Sequence, residues 1–224
     1  MRYPRYAIIP SNGRECLKLC LEAILPQVDL VFVVATDVVD LLEGGKVKVL
    51  SAIGDPQNIS SWWNYGLDQA EMWASVHRPG PRIPVSGDPK FDVAVLNDDA
   101  IVPEGWFDAV SGTMRQMGVA AGCSGAHGMP VLHTQNQAPP LATRMQGFAF
   151  ILAGELGLRA DEQFIWYCGD DDLGRQAAMA GGMVMVPGFH VNHLYPNGQV
   201  SDKLMSAIPG DMQRYVDKYG GRPW

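Results

Sequence analysis

Apolar and polar positions alternate along the chain in two different rhythms. Ala7–Ile9 is a short apolar run halted by Pro10, which predicts a buried strand entering a loop. Leu17, Cys20, Leu21 and Ile24 then fall on one helical face that Pro26 closes, with Ser11 or Asn12 as the expected cap. Leu30–Ala35 is apolar at every position, the mark of a parallel strand covered on both faces. Lys46–Leu50 alternates and predicts a shorter strand. Ile59, Trp62, Trp63, Gly66, Leu67, Ala70 and Trp73 return to helical spacing behind a cap at Asn58 or Ser60. Four prolines and two glycines make a loop of Arg78–Lys90. Phe91–Leu96 is the next strand and runs into Asn97, Asp98 and Asp99. Pro103 suits a first helical turn, and Trp106, Val110, Met114 and Met117 supply that helix's apolar face.

The second half is less regular. Cys123–Pro140 reads as one long loop, Phe148–Leu152 as a strand, Asp170–Ala180 as a helix, Met183–Val186 as a strand and Met212–Tyr219 as a terminal helix. Strands alternating with helices predict an α/β fold with a mostly parallel central sheet flanked by helices, and a ligand site at the carboxyl ends of the strands. Ser11, Asp37 and Asn97–Asp99 all follow strand ends, so this topology gathers them on one edge.

Composition narrows the function. The 224 residues carry a net charge of −7, and the pI near 5.1 lacks the basic face of a general nucleic-acid binder. Hydrophobic residues at 47% are enough for a packed core. The four cysteines, Cys16, Cys20, Cys123 and Cys168, form no CxxC and read as reduced, buried thiols. No apolar run is long enough for a signal peptide or a membrane span, so a cytoplasmic location is expected. GxGxxG, GxxxxGK[ST] and GxSxG are all absent, which argues against dinucleotide, P-loop and α/β-hydrolase chemistry.

Three polar clusters can carry chemistry. Asn97-Asp98-Asp99 at a strand's carboxyl end can hold Mg²⁺ or Mn²⁺ beside a diphosphate. Asp170-Asp171-Asp172 behind Gly169 opens a helix, whose dipole eases the repulsion of three carboxylates and places a general base or a metal ligand there. His190 and His193 follow a Pro-Gly turn, and on an extended segment they face opposite ways, so one of them is the candidate ligand.

These segments, in this order, resemble the GT-A glycosyltransferases, of the glycosyltransferase family 2 type. AIIPSNGRECLKLCLEAIL is similar to that family's first strand, turn and helix, and VFVVATD to its second strand ending in an aspartate. NISSWWNYGLDQA resembles its Asn-x-Gly segment, with Asn64 and Gly66. VAVLNDDAIVPEGWF resembles the strand bearing its DxD-type motif, and ADEQFIWYCGDDDLGRQAAMAGG its acidic catalytic segment. Four positions depart from the pattern: Asn97 opens the DxD-type motif, Ala160 replaces an aromatic, Gly169 replaces Glu, and Gln176 stands where Arg is usual.

The resemblance implies one GT-A domain over residues 1–224. About residues 1–100 form its nucleotide-binding half and about 101–224 its acceptor-binding half. It implies a metal-dependent inverting transfer from a nucleoside diphosphate sugar, UDP-sugar favoured, to a hydroxyl of a glycan, lipid or protein. Asp170, with Asp171 beside it, is then catalytic. Pro10, Ser11, Asn12, Asp37, Asn64, Asn97 and Asp98 bind substrate, and Asp99 and His193 hold Mn²⁺ or Mg²⁺. Separately, the length and the Gly, Pro, Gln and Asn content of Cys123–Pro140 predict a loop that closes over the donor. A nucleotidyltransferase on a related fold and a non-catalytic, metal-dependent glycan-binding module are the competing readings.

Overall fold

The computed structural model describes residues 2–36, 45–52, 57–77, 89–125, 132–134, 144–195 and 202–222. The first half contains β1 (Arg5–Ser11), α1 (Cys16–Ile24), β2 (Leu30–Ala35), β3 (Val47–Ser51), α2 (Ile59–Val76), β4 (Asp92–Leu96), β5 (Ala100–Ile101) and α3 (Trp106–Met117). The second half contains β6 (Ala121–Ser124), β7 (Leu132–Thr134), β8 (Ala149–Ala153), a 3₁₀ turn at Gly154–Leu156, α4 (Gly169–Met179), β9 (Met183–Val186), β10 (Asn192–His193) and α5 (Asp202–Tyr219).

Eight strands form one sheet in the order β3-β2-β1-β4-β8-β6-β9-β7. β1, β2, β3 and β4 run parallel, as do β6 and β9, while β8 and β7 pair antiparallel with their neighbours. Helices cover both faces because the central strands are apolar in both phases of the two-residue repeat. Ala7 and Ile9 of β1 face a core with Leu17 and Leu21 of α1 and Trp106, Phe107 and Val110 of α3. Tyr6 and Ile8 face the opposite core, with Trp62, Trp63 and Leu67 of α2 and Leu173 and Ala177 of α4. Trp62 and Trp63 are thus core residues, and the half-buried Trp73 packs against that core.

The sheet order reverses between β1 and β4, and the carboxyl ends of strands at such a switch point are where open α/β sheets bind ligands. The expected mostly parallel sheet is present. Several local expectations need correction. The first residues of α1 are not capped by Ser11 or Asn12; the helix starts behind Glu15 with no side-chain cap. Asn58 does cap α2, accepting from the Ser61 N–H at 3.1 Å. The region read as a loop from Cys123 holds β6 and β7, and the terminal helix starts ten residues earlier than its apolar pattern suggested, with Pro209 inside it. Most of Cys123–Pro140, and with it the expected closing loop, lies outside the described residues.

Candidate active site

The acidic end of β4 is bound to the end of β1. Ser11 Oγ donates to Asp98 Oδ2 at 2.7 Å and accepts from the Gly13 N–H at 3.0 Å. Arg14 Nε donates to the same Asp98 oxygen at 3.2 Å, and its terminal nitrogen pairs with the other. Both Asp98 oxygens are therefore engaged inside the protein. Asp98, expected to bind substrate, joins β1 to β4 and holds the Arg14 guanidinium.

Asp99 is different. It is 2% exposed, and its Oδ1 is buried without an aligned hydrogen-bond donor among the described residues. His193 Nε2 lies 3.2 Å from that oxygen, and Arg14 lies 3.4 Å from Oδ2. Burial pushes the Asp99 carboxyl up, but His193 and Arg14 together outweigh it and hold it below the usual carboxylate range. His193 reaches this point on a two-stranded ribbon outside the main sheet. β10 pairs antiparallel with β5, placing His193 opposite Ala100, and the Leu194 N–H donates to the Asp99 carbonyl at 3.0 Å. The His193 ring stacks on Phe148, centroids 4.5 Å apart. His190 is exposed, so the ribbon places His193 rather than His190 against the acidic strand end.

The Asp99–His193 pair fits a divalent cation. Neighbouring ligands of an octahedral cation with bonds of about 2.1 Å stand roughly 3 Å apart, and Oδ1 and Nε2 are 3.2 Å apart. A carboxylate with an imidazole suits Mn²⁺. Among the described residues, no group of three or more His, Cys, Asp and Glu is placed to hold a metal, so such a cation would draw further ligands from a bound substrate or water.

The three aspartates of α4 diverge, as neighbours ~100° apart on a helix must. Cys168 precedes the helix at φ 65°, a left-handed conformation unusual for a residue with a side chain. Asp170 then sits against Gly147, where an added Cβ would lie 2.4 Å from Oδ2. Although half-buried by exposed area, its carboxylate is closely surrounded by protein. This burial pushes its pKa up, and Arg144 only partly opposes the shift. Asp171, expected beside Asp170 in catalysis, forms an ion pair with Arg144. Asp172 is fully buried. It accepts from the Asp161 N–H at 3.0 Å, Gln176 Nε2 at 2.8 Å, Lys218 Nζ at 2.7 Å and the Tyr219 hydroxyl at 2.5 Å.

Gly169, the departure from the usual Glu, follows from packing. A Cβ there would lie 2.7 Å from Ser60 Oγ and 3.2 Å from the Trp63 ring, so α4 approaches α2 more closely than a side chain allows.

Phe148 and Gly147 join the two acidic sites. The Phe148 carbonyl accepts from the Asn97 N–H at 2.9 Å, its ring carries His193, and the preceding Gly147 abuts Asp170. Asp99, His193 and Asp170 thus share one edge of the sheet.

The remaining candidates are distributed as follows. Pro10 lies within β1 opposite Val34. Asn12 is exposed and accepts from Thr36 Oγ1 at 3.5 Å, and Asn97 is half-buried. Asn64, expected to bind substrate, uses its amide on the protein: Nδ2 donates to the Ala160 carbonyl at 2.8 Å and to Glu162 Oε1 at 3.0 Å, and Oδ1 accepts from the Ala160 N–H at 2.9 Å. Asp37 lies outside the described residues.

Two residues absent from the sequence reading shape the site. Arg14 is one. The other is Asp211 of α5, fully buried, which accepts from the backbone N–H groups of Ile165, Trp166 and Tyr167 at 3.1, 2.8 and 2.9 Å and from Arg214 at 2.8 Å. It fixes the turn that leads into Cys168 and Asp170.

Comparison with family models finds no match, and comparison with curated protein sequences finds none. Solved structures do match. S. aureus TarS, residues 1–349, aligns with 96% of this chain over 72% of its own length, at 9% identity and a TM-score of 0.58. Its complex with UDP aligns over the same shares at 11% identity and 0.59. Its complex with UDP-GlcNAc gives 11% and 0.51, over 67% of its length. The fold is GT-A-like. The chain spans 43% of the longer TarS structure, so the likeness concerns one part of that protein.

Proposed function

We propose that this protein is a glycosyltransferase that moves a sugar from a nucleoside diphosphate sugar, with a UDP-sugar favoured, to a hydroxyl of a glycan, lipid or protein acceptor, inverting the anomeric centre. The observation that carries this reading is the placement of Asp170 on the same sheet edge as the Asp99–His193 pair. The fold is shared with a protein solved with UDP and UDP-GlcNAc, which favours the same ligand class here.

In this reading Asp99 and His193 would hold Mn²⁺ or Mg²⁺, which when bound would supply positive charge to the diphosphate leaving group. The ends of β1 and β4 bind the nucleotide half of the donor. Asp170 accepts the proton of the acceptor hydroxyl as its oxygen bonds to the anomeric carbon and the bond to diphosphate breaks. One displacement from the face opposite the leaving group inverts the centre. Burial raises the pKa of Asp170, which makes its ionised form a stronger base than an ordinary carboxylate. Gly147 and the Asp211 clamp hold Asp170 in place, and Asp172 anchors α4 to α5.

The test is a thermal-shift screen of UDP-, GDP- and dTDP-sugars with and without Mn²⁺, followed by a transfer assay. A ligand at 100 times its Kd adds ~2.7 kcal/mol of apparent stability. A UDP-sugar is expected to raise the melting temperature most, more so with Mn²⁺. No shift with any nucleotide sugar overturns the reading.

A further inference from the structure

Resting on the reading above, we infer that Arg14 is a resident cation that competes with a divalent metal for Asp99 and passes to the donor's diphosphate when donor and metal bind together. Three observations lead there. The guanidinium engages both oxygens of Asp98 and reaches Asp99 Oδ2 at 3.4 Å, so one positive charge already serves two buried carboxylates. The other Asp99 oxygen, Oδ1, is buried, lacks an aligned donor and faces His193, so the metal position and the Arg14 position lie on opposite oxygens of one carboxylate. Arg14 also lies on the segment between β1 and α1, at the sheet's switch point, and its side chain is 27% exposed, so it can turn toward a ligand without leaving the edge.

Charge then sets the order of binding. A cation entering at Oδ1 meets a carboxylate already neutralised from its other side. An opposite charge within 4–6 Å changes a carboxylate's affinity for a proton by roughly ten- to a thousandfold, and the same field opposes a divalent cation. A diphosphate brings the missing negative charge. Arg14 can then bond to phosphate oxygens, for which a guanidinium fork is well shaped, and Asp99 is released to the metal. Metal and nucleoside diphosphate are therefore expected to bind cooperatively, and by linkage each strengthens the other by the same factor.

The test is calorimetry on the full chain. Mn²⁺ is titrated in the absence and presence of saturating UDP, and UDP is titrated in EDTA, for the wild type, Arg14→Gln and Arg14→Lys. Without nucleotide, Arg14→Gln is expected to bind Mn²⁺ about tenfold or more tightly than the wild type. The strengthening of Mn²⁺ binding by UDP is expected to shrink in that variant, and its metal-free affinity for UDP to fall. Arg14→Lys keeps the charge but not the fork, and is expected to fall between the two. It also serves if Arg14→Gln does not fold, because a coupling factor equal to the wild type's in every folded variant overturns the inference. UDP binding with no Mn²⁺ binding in any variant overturns it too. Failure of all proteins to bind UDP, GDP and dTDP alike instead overturns the proposed function itself.

Discussion

Gly147 and Asp170 are packed so closely that a single methyl group on the former would overlap the carboxylate of the latter. The Cβ of an alanine at 147 would stand 2.4 Å from Oδ2 and 2.7 Å from the carboxyl carbon. Gly147→Ala should therefore displace the proposed base without touching the nucleotide end of the site. A misplacement of about 1 Å can cost ~10²-fold in rate. Steady-state kinetics should show kcat down by that order with donor affinity nearly unchanged. A normal kcat would mean that Asp170 is not the base.

Replacing the carboxylate itself separates catalysis from stability. Asp170→Asn should lower turnover by ~10²-fold or more, yet raise the melting temperature at neutral and higher pH. The folded pKa of Asp170 lies above its unfolded value of ~3.9. Its contribution to stability is present below the unfolded pKa and is lost as pH rises through the folded one. The variant's gain over the wild type should be largest near pH 8 and vanish at low pH. Thermal melts across pH check this, and a variant less stable at pH 8 would contradict it. In the wild type, the acid limb of kcat/KM should fall at a pH above that of an ordinary carboxylate, because the base must be ionised.

Asp211 should act through the turn that it holds. Asp211→Ala removes the acceptor for three half-buried backbone N–H groups and for Arg214. A loss of about 3 kcal/mol is expected, with faster amide exchange at Ile165–Tyr167. Exchange there at the wild-type rate would show that other contacts fix the turn.

Asn64→Ala should behave as a structural change rather than a loss of ligand contact. It leaves both the N–H and the C=O of Ala160 without their partner, at a cost of about 1–3 kcal/mol. Nucleotide affinity of the folded variant, measured by calorimetry, should stay within about twofold of wild type. A larger fall would return Asn64 to the binding surface.

What the sequence made legible follows the physics of each element. β1, β2, β4, β8 and β9 are buried on both faces, so their apolar runs are unbroken and their limits were found within a residue or two. β5 and β10 have two residues each, too few for any period, although they bring His193 to Asp99. Pro209 hid the first ten residues of α5, Asp211 among them. The acidic clusters were visible as clusters, but the partners that hold each carboxylate were not. Asp98 and Arg14 are 84 residues apart, Asp172 and Tyr219 are 47 apart, and no local pattern encodes such pairs. Asn64 was noticed as a polar residue among apolar ones, which marks burial, not purpose.

β6 has a consequence for synthesis from the ribosome. Both of its neighbours, β8 and β9, lie later in the chain. At ~5–20 residues per second, β6 emerges seconds before either partner and must wait with its hydrogen-bonding groups unmatched. Segments that aggregate in such a wait are rich in large β-formers. β6 is Ala-Gly-Cys-Ser, with nothing large to offer a passing chain. The same plainness that hid this strand from a reading of the sequence lets it stay unpaired until the hydrophobic strand Ala-Phe-Ile-Leu-Ala of β8 arrives to take it up.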